Sequence, residues 1–228
     1  MAIRPRRQQT TVSKSTPVAV PIDGIALVGN LCIPPHAKGM VIFAHGSGSG
    51  RLSSRNRYVA EVLNEHNVGT LLIDLLTSHE EQIDRLTRHL RFDITMLAGR
   101  LSIIGEWVIK QPALHRLHIG YFGASTGGAA ALIAAAQQPN KVVAVVSRGG
   151  RPDLAMDALP QVKAPTLLIV GEHDPQVLAW NKQALQQLND KSRLDIIPRA
   201  THLFEEPGTL EDVAQLAASW FAKHLSRE

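Results

Sequence analysis

A G-x-S-x-G pentapeptide at residues 123–127, Gly-Ala-Ser-Thr-Gly, limits the architecture of this chain more than any other segment. The apolar segment 117–122 before it is typical of a buried strand, and the alanine-rich run 128–136 after it favours a helix. A strand, a sharp turn and a helix form the context in which this pattern is a nucleophile elbow. The sequence therefore predicts Ser125 as a nucleophile. A glycine-rich turn in another α/β domain is the alternative interpretation.

Strand-like and helical segments alternate along the rest of the chain. Further strands are predicted at 18–21, 25–33, 40–44, 69–75, 142–146, 165–170 and 194–197. Further helices are predicted at 55–67, 91–110, 177–188 and, behind Thr209 as N-cap, at 210–221. The turn dipeptide Asp23-Gly24 predicts an opening hairpin. This alternation predicts an α/β domain with a mainly parallel central sheet and helices on both faces.

Charge and cysteine content restrict the partners and the compartment. Residues 1–16 carry four cations and no acid, and the rest of the chain balances 20 basic against 20 acidic residues. We interpret 1–16 as a basic, flexible, solvated tail and 17–228 as a single domain. We expect neither nucleic acid nor a membrane as a partner. A weak contact of the tail with nucleic acid or a membrane is the alternative interpretation. No apolar stretch approaches the roughly 20 residues of a membrane span. The single cysteine, Cys32, fits a cytoplasmic protein.

A serine hydroxyl needs a base within hydrogen-bond reach, and the base needs a group that orients it. With this motif, the serine, the acid and the histidine follow one another in that order along the chain. Only His202 and His224 come after both Ser125 and an acid that follows a strand. His202, between the last strand and the last helix, is the predicted base. His224 lies near the end of the closing helix, where the helix dipole favours a cation.

Asp174 is the predicted acid, because it follows the strand 167–170 closely enough for a fixed carboxylate to orient His202. Pro175 suits a helix start, so Asp174 as a mere N-cap is the alternative interpretation. Glu172, two residues closer to the strand, is the second candidate for the acid. Asp153 and Asp157, after the preceding strand, are more distant candidates.

An oxyanion formed at Ser125 needs two preorganised backbone N–H donors. One is predicted at Thr126, directly after the serine. The other is predicted at Ser47, or next at Gly46, in the glycine-rich loop 45–50 that follows an early strand. That loop lacks the Lys-Ser/Thr ending of a phosphate-binding P-loop. We expect His45 to pack or hydrogen-bond behind the loop rather than act as a base.

The histidine-glycine pair at 45–46, the pentapeptide, the G-x-x-D segment 171–174 and His202 together resemble the α/β-hydrolase superfamily from about residue 18 to 225. The compact length resembles its dienelactone-hydrolase-like branch. That resemblance implies an α/β-hydrolase fold; the family's dienelactone hydrolases use cysteine where this chain has Ser125. Segments 123–130, 146–153 and 200–206 are similar to bacterial hydrolase domains sometimes joined to a phosphoribosyltransferase-like domain. The resemblance therefore implies a possible association with such a protein.

These residues predict a serine hydrolase that cleaves a small carboxylic ester or lactone through an acyl-enzyme intermediate. A non-catalytic or regulatory binding module and an acyltransferase with the same residues are the alternatives. Only about 18 residues separate the strands that end and begin near 147 and 165, so no large lid domain is expected there and the site should be open. The candidate substrate-binding residues are Gly46, Arg148 and Arg151. For the two arginines, a salt bridge to Asp153 or Asp157, or plain solvation, is the alternative. No cofactor or metal is predicted, because the histidines and the single cysteine lack zinc-site spacing.

Overall fold

A computed structural model of the chain describes residues 14–226. Most of the predicted tail, residues 1–13, therefore lies outside the described residues. The eight strands are β1 Thr16–Ile22, β2 Ile25–Cys32, β3 Gly39–Ala44, β4 Val68–Ile73, β5 His118–Ala124, β6 Val142–Arg148, β7 Thr166–Gly171 and β8 Arg193–Ile197. The six α-helices are α1 Ser54–Glu65, α2 Ser78–Thr87, α3 Ile94–Lys110, α4 Thr126–Gln137, α5 Pro175–Leu185 and α6 Thr209–Leu225.

All eight strands form one sheet in the order β1-β2-β4-β3-β5-β6-β7-β8. The first hairpin and the β2–β4 pair are antiparallel. The remaining pairs, from β4 through β3 to β8, are parallel. Parallel neighbours place their carboxyl ends at one edge, and ligands of such sheets bind at that edge. The fold predicted from the sequence is confirmed: it is the α/β-hydrolase fold, and no large lid domain is inserted within the described residues.

Two apolar layers cover the two faces of the sheet. On one face α1 and α6 pack against alternate residues of the central strands, in a layer that includes Phe43, Phe122 and Phe221. On the other face α3, α4 and part of α5 pack against the remaining strand residues. The parallel strands β3, β4 and β7 are buried along their whole length. Burial on both sides explains why these strands are continuous apolar runs in the sequence.

Two local details differ from the sequence analysis. No element was predicted between 76 and 90, yet α2 lies there, started by a capping box in which Thr77 and Glu80 exchange side-chain-to-backbone hydrogen bonds. Thr209 is not the N-cap of α6: Gly208 takes that position, and the Thr209 hydroxyl donates to the Glu206 carbonyl at 2.7 Å instead. None of the helices in residues 14–226 is long and apolar enough to cross a membrane.

Candidate active site

Ser125 stands between β5 and α4 in a strained backbone conformation. Its φ is 52° and its ψ is −122°, a region of backbone conformation that residues other than glycine rarely adopt. The end of β6 and the chain just after it hold this turn in place. The Ser125 N–H donates to the Arg148 carbonyl at 3.1 Å, and the Arg151 N–H donates to the Ser125 carbonyl at 3.1 Å. These two bonds fix the backbone of Ser125 at the carboxyl edge of the sheet, where the residue is half-buried.

Two glycines allow the turn to pack this tightly. A Cβ on Gly127 would lie 2.2 Å from the Ala44 carbonyl oxygen, and a Cβ on Gly123 would lie 2.4 Å from the Gly127 carbonyl oxygen. Both obstacles are backbone atoms, which cannot turn aside as a flexible side chain can. The spacing of glycines around Ser125 is therefore a packing requirement of the turn.

We expect Gly127→Ala to lower the free energy of unfolding by about 3 kcal/mol, because the added methyl group must displace the end of β3. Urea unfolding followed by circular dichroism measures this change. Gly99→Ala is the matched control, since nothing lies within 4 Å of a Cβ at that position in α3. That control should stabilise the protein by up to about 1 kcal/mol through helix propensity. Equal midpoints for Gly127→Ala and the wild type would show that the turn is not closely packed.

The structure brings His202 and Asp174 together. The His202 Nδ1 lies 2.6 Å from a carboxylate oxygen of Asp174, whose side chain is 14% exposed against 38% for His202. Asp174 occupies the N-cap position of α5, but its side chain makes no capping hydrogen bond. A carboxylate acceptor at Nδ1 favours the tautomer in which Nδ1 carries the proton, and this leaves Nε2 as the basic nitrogen.

The loops that carry these two residues are bound to each other through the backbone. The His173 N–H donates to the Ala200 carbonyl at 2.9 Å, and a Cβ on Gly171 would lie only 2.3 Å from the same oxygen. Glu172, the second candidate for the acid, accepts a hydrogen bond from the Arg199 N–H at 2.8 Å. Its carboxylate is therefore engaged away from His202.

Ser125 and His202 lie against neighbouring residues at the end of β6. Arg148 accepts the Ser125 N–H, and a Cβ on the next residue, Gly149, would lie 3.5 Å from the His202 ring. Within residues 14–226 the Ser125 hydroxyl and His202 form no hydrogen bond, and the His202 ring is bonded to Asp174. Catalytic hydrogen bonds of this type are often long in a free enzyme and shorten when the substrate binds. The structure thus joins His202 to Asp174 and brings Ser125 to the same edge of the sheet.

The two predicted oxyanion donors lie side by side. A Cβ on Gly46 would lie 3.0 Å from the Ser125 Cβ, so the glycine-rich loop touches the serine directly. The Ser47 N–H donates to the Thr126 hydroxyl at 3.0 Å, and the Ser47 hydroxyl is also 3.0 Å from that oxygen. The Ser47 N–H is therefore engaged by Thr126 and has to leave this bond before it can serve an oxyanion.

His45 supports this loop from behind, as its position in the sequence led us to expect. Its Nε2 accepts the Leu75 N–H at 2.9 Å, and its Nδ1 lies 3.1 Å from the Gly46 carbonyl. Burial lowers the pKa of the His45 imidazole, which keeps the ring neutral. His45 thus joins the loop after β3 to the chain after β4.

The remaining candidates take structural positions. Arg151 forms a two-point ion pair with Asp153, at 2.9 and 2.7 Å, and stacks over Trp180 at 4.2 Å. Asp153 raises the pKa of the Arg151 guanidinium. His224 is buried in α6, with its ring centroid 4.6 Å from that of Trp220. Neither Asp153 nor His224 is placed next to Ser125 by these contacts.

Arg148 is different, because its side chain is buried without a carboxylate. It is 8% exposed, its guanidinium lies 5.9 Å from the centre of the Phe122 ring, and its Nη1 has no hydrogen-bond partner. Desolvation lowers the pKa of Arg148 to about 10, so the side chain remains charged at neutral pH. A buried cation of this kind was not expected from the sequence.

A cavity of about 720 Å³ is lined in part by Ser47 and by Thr126, the residue that follows Ser125. One wall is the loop after β3 with the start of α1. The opposite wall is α2 with the short 3-10 turn Leu90–Phe92. The sequence analysis missed both elements, although Thr77-x-x-Glu80 is a capping-box signal for α2. The lining is mainly polar, and the four arginines on it are Arg51, Arg55, Arg85 and Arg91. Two of them are paired with carboxylates in the same lining, Arg51 with Asp74 and Arg91 with Asp84.

Comparison with protein families identifies the group to which this site belongs. The family model described as the dienelactone hydrolase family matches residues 78–225, which include Ser125, Asp174 and His202. The chain belongs to the dienelactone hydrolase family. A crystal structure of dienelactone hydrolase from Anabaena variabilis is similar over 94% of this chain and 99% of that chain, with 60% sequence identity and a TM-score of 0.93.

Two further comparisons extend this finding. A protein of Mycobacterium tuberculosis named putative phosphoribosyl transferase is 54% identical over 208 residues, which cover 91% of this chain and 46% of that protein. The chain thus spans about half the length of the curated relatives it matches. Est1E from Butyrivibrio proteoclasticus shares the fold, with a TM-score of 0.77 and 18% identity over 92% of this chain and 99% of Est1E.

Proposed function

We propose that this chain cleaves small carboxylic esters or lactones through an acyl-enzyme, with Ser125 as nucleophile, His202 as base and Asp174 as the orienting acid. The hydrogen bond of 2.6 Å between His202 Nδ1 and Asp174 carries the proposal, because it leaves Nε2 free to take a proton. The strained turn at Ser125 supports it, since strain of this kind concentrates at functional sites.

In the first step the Ser125 oxygen attacks the ester carbonyl carbon while His202 Nε2 takes the hydroxyl proton. The carbonyl oxygen becomes an oxyanion and accepts hydrogen bonds from the Thr126 N–H and, once it leaves the Thr126 hydroxyl, from the Ser47 N–H. The bond from carbon to the leaving oxygen then breaks, and His202 returns its proton to that oxygen. The alcohol departs, or stays attached at the other end when the substrate is a lactone.

In the second step water attacks the acyl carbon and His202 takes a proton from it. The bond to Ser125 breaks, the proton passes to the Ser125 oxygen, and the carboxylic acid is released. Asp174 holds the ring through Nδ1 and stabilises the imidazolium that forms twice in each cycle.

The cavity beside Ser125 favours small, polar substrates. Its volume of about 720 Å³ is within the usual range for small-molecule sites, but its lining is dominated by serines, glycines and charged side chains. Apolar contacts come from a few leucines, such as Leu76 and Leu97. Long acyl chains would therefore find little apolar surface to bury.

We expect kcat/KM for p-nitrophenyl esters to fall at least about tenfold from the butyrate to the decanoate, because the extra methylenes find no apolar pocket. Release of p-nitrophenol by the purified protein measures it. A preference that rises with chain length would contradict the assignment of this cavity as the substrate site.

An acyltransferase with the same residues would pass the acyl group to an alcohol rather than to water. Competing alcohols, with chromatographic analysis of the products, separate the two reactions: hydrolysis gives the acid as the main product. Association with a phosphoribosyltransferase-like protein stays a prediction, as does a cytoplasmic location. The name of the mycobacterial relatives belongs to proteins about twice as long as this chain.

A further inference from the structure

The Thr126 hydroxyl occupies a backbone donor that an oxyanion at Ser125 would need. The Ser47 N–H donates to the Thr126 Oγ1 at 3.0 Å, and the hydroxyl oxygens of the two residues are also 3.0 Å apart. This distance is that of an ordinary N–H···O hydrogen bond, so the donor is engaged before a substrate arrives. Both residues line the cavity described above, so a substrate in the cavity can reach their contact.

The loop that carries Ser47 is held by contacts that do not involve Thr126. The Ser49 N–H donates to the Gly46 carbonyl at 3.1 Å and closes a turn around Ser47. The His45 ring joins the Gly46 carbonyl, at 3.1 Å, to the backbone just after β4, at 2.9 Å. Loss of the Thr126 hydroxyl would therefore free the Ser47 N–H without releasing the loop.

The other side of the contact is also fixed through the backbone. Thr126 is the first residue of α4, so its own N–H has no acceptor within the helix and is available to an oxyanion. The backbone of Ser125 beside it is bonded to the end of β6 and to the chain just after it. A change of the Thr126 side-chain rotamer is therefore enough to free the Ser47 N–H, with no movement of the backbone.

The charge of the acceptor decides which group holds the Ser47 N–H. The Thr126 hydroxyl and an ester carbonyl are both neutral acceptors, so a bound ester gains little by displacing the hydroxyl. An oxyanion accepts a charge-assisted hydrogen bond that is about twice as strong, and it therefore displaces the hydroxyl. The free energy needed to break the resting bond reduces the stabilisation of the transition state.

We propose that the Thr126 hydroxyl is a gate of the oxyanion hole: it holds the Ser47 N–H in the resting protein and releases it only to the charged intermediate. This deepens the proposed function, on which it rests, by naming the side chain that regulates the site. Thr126 then has two opposed roles, because its N–H donates to the oxyanion while its hydroxyl competes with the oxyanion. The opposite assignment, in which the hydroxyl positions Ser47 for catalysis, predicts the reverse kinetic result.

Hydrogen exchange of the Ser47 amide, followed by NMR, tests the contact without turnover. We expect this amide to exchange at least about fivefold faster in Thr126→Ala than in the wild type, and Thr126→Ser, which keeps the hydroxyl, should restore the protection. Thr209→Ala is the matched control: Thr209 is also 2% exposed and the first residue of its helix, but its hydroxyl donates to the Glu206 carbonyl. Unchanged protection in Thr126→Ala would overturn the gate.

Steady-state kinetics with p-nitrophenyl butyrate test what the contact does. We expect kcat/KM to rise about three- to tenfold in Thr126→Ala, because the resting hydrogen bond no longer has to be broken. Thr126→Ser should cancel the rise, and Thr209→Ala should behave as the wild type. Thr126→Val, which keeps the branched shape without the acceptor oxygen, is the second variant if Thr126→Ala does not fold.

The direction of the kinetic change decides between the two assignments. A fall of kcat/KM in Thr126→Ala would overturn the gate and assign the hydroxyl to positioning Ser47. An unchanged kcat/KM would also overturn it, because the contact would then cost the reaction nothing. Failure of the wild type to cleave the ester would instead overturn the proposed function, and the gate with it, while the exchange series still decides whether the contact forms.

Discussion

Replacing Ser125 with alanine is expected to lower kcat/KM for p-nitrophenyl butyrate by at least about 10,000-fold. The hydroxyl oxygen forms the covalent bond of the proposed acyl-enzyme, so its removal stops both steps rather than weakening one contact. The rate that remains should come from direct attack of water on the bound ester, helped only by substrate binding and the oxyanion donors. Initial rates of purified wild type and variant measure the effect.

A matched control and a folding check accompany this measurement. Ser102→Ala removes a hydroxyl on α3 that donates to Gln137, well separated in the fold from the turn at Ser125, and should leave the rate within a few-fold of wild type. Alanine adopts the backbone angles of residue 125 no more easily than serine, so Ser125→Ala should keep a near-wild-type Tm. A folded Ser125→Ala variant with more than a tenth of the wild-type rate would exclude Ser125 as the nucleophile.

Replacing Asp174 with asparagine is expected to lower kcat by about 1,000- to 10,000-fold. The carboxylate accepts the Nδ1 proton of His202, whereas an amide at the same place can turn its NH₂ group toward the ring and favour the wrong tautomer. The imidazolium formed during turnover also loses its counter-charge. Because the side chain does not cap α5, the change should cost little stability.

Glu172→Gln is the control that separates the two candidate acids. Its carboxylate accepts from the Arg199 N–H, which an amide oxygen can still do, so we expect kcat within a few-fold of the wild type. Steady-state kinetics of both variants with one ester suffice. If Glu172→Gln lost activity and Asp174→Asn kept it, the acid would have been assigned to the wrong strand-end residue.

Much of the fold could be predicted because the sheet is mostly parallel and buried on both faces. Its central strands are short apolar runs such as Thr166–Gly171, which stand out in the sequence between polar turns. Helix α2 could not be found in this way. Asp84 is its buried residue, while Ile83 and Leu86 are exposed, so its apolar pattern does not report its packing. The capping box of Thr77 and Glu80 is the one local sequence signal that indicates the start of α2.

In the candidate site, too, local sequence patterns predict some features, whereas others depend on tertiary packing. The positions of Ser125, Asp174 and His202 follow from motif order and from the rule that parallel strands end at one edge. The bond between Ser47 and Thr126 joins residues 79 positions apart, and no local pattern announces it. The burial of Arg148 near the Phe122 ring likewise depends on tertiary packing. Local sequence showed Arg148 and Arg151 as equivalent candidates, and only tertiary packing gave one of them a carboxylate partner.

Intact-protein mass after treatment with a fluorophosphonate probe identifies the nucleophile itself. The probe reacts covalently with a serine only when a neighbouring base activates it. We predict one adduct on the wild type and none on folded Ser125→Ala. An adduct that persists in the variant would place the nucleophile elsewhere. A folded wild type that forms no adduct would contradict an assembled catalytic site and favour a binding module built on the same fold.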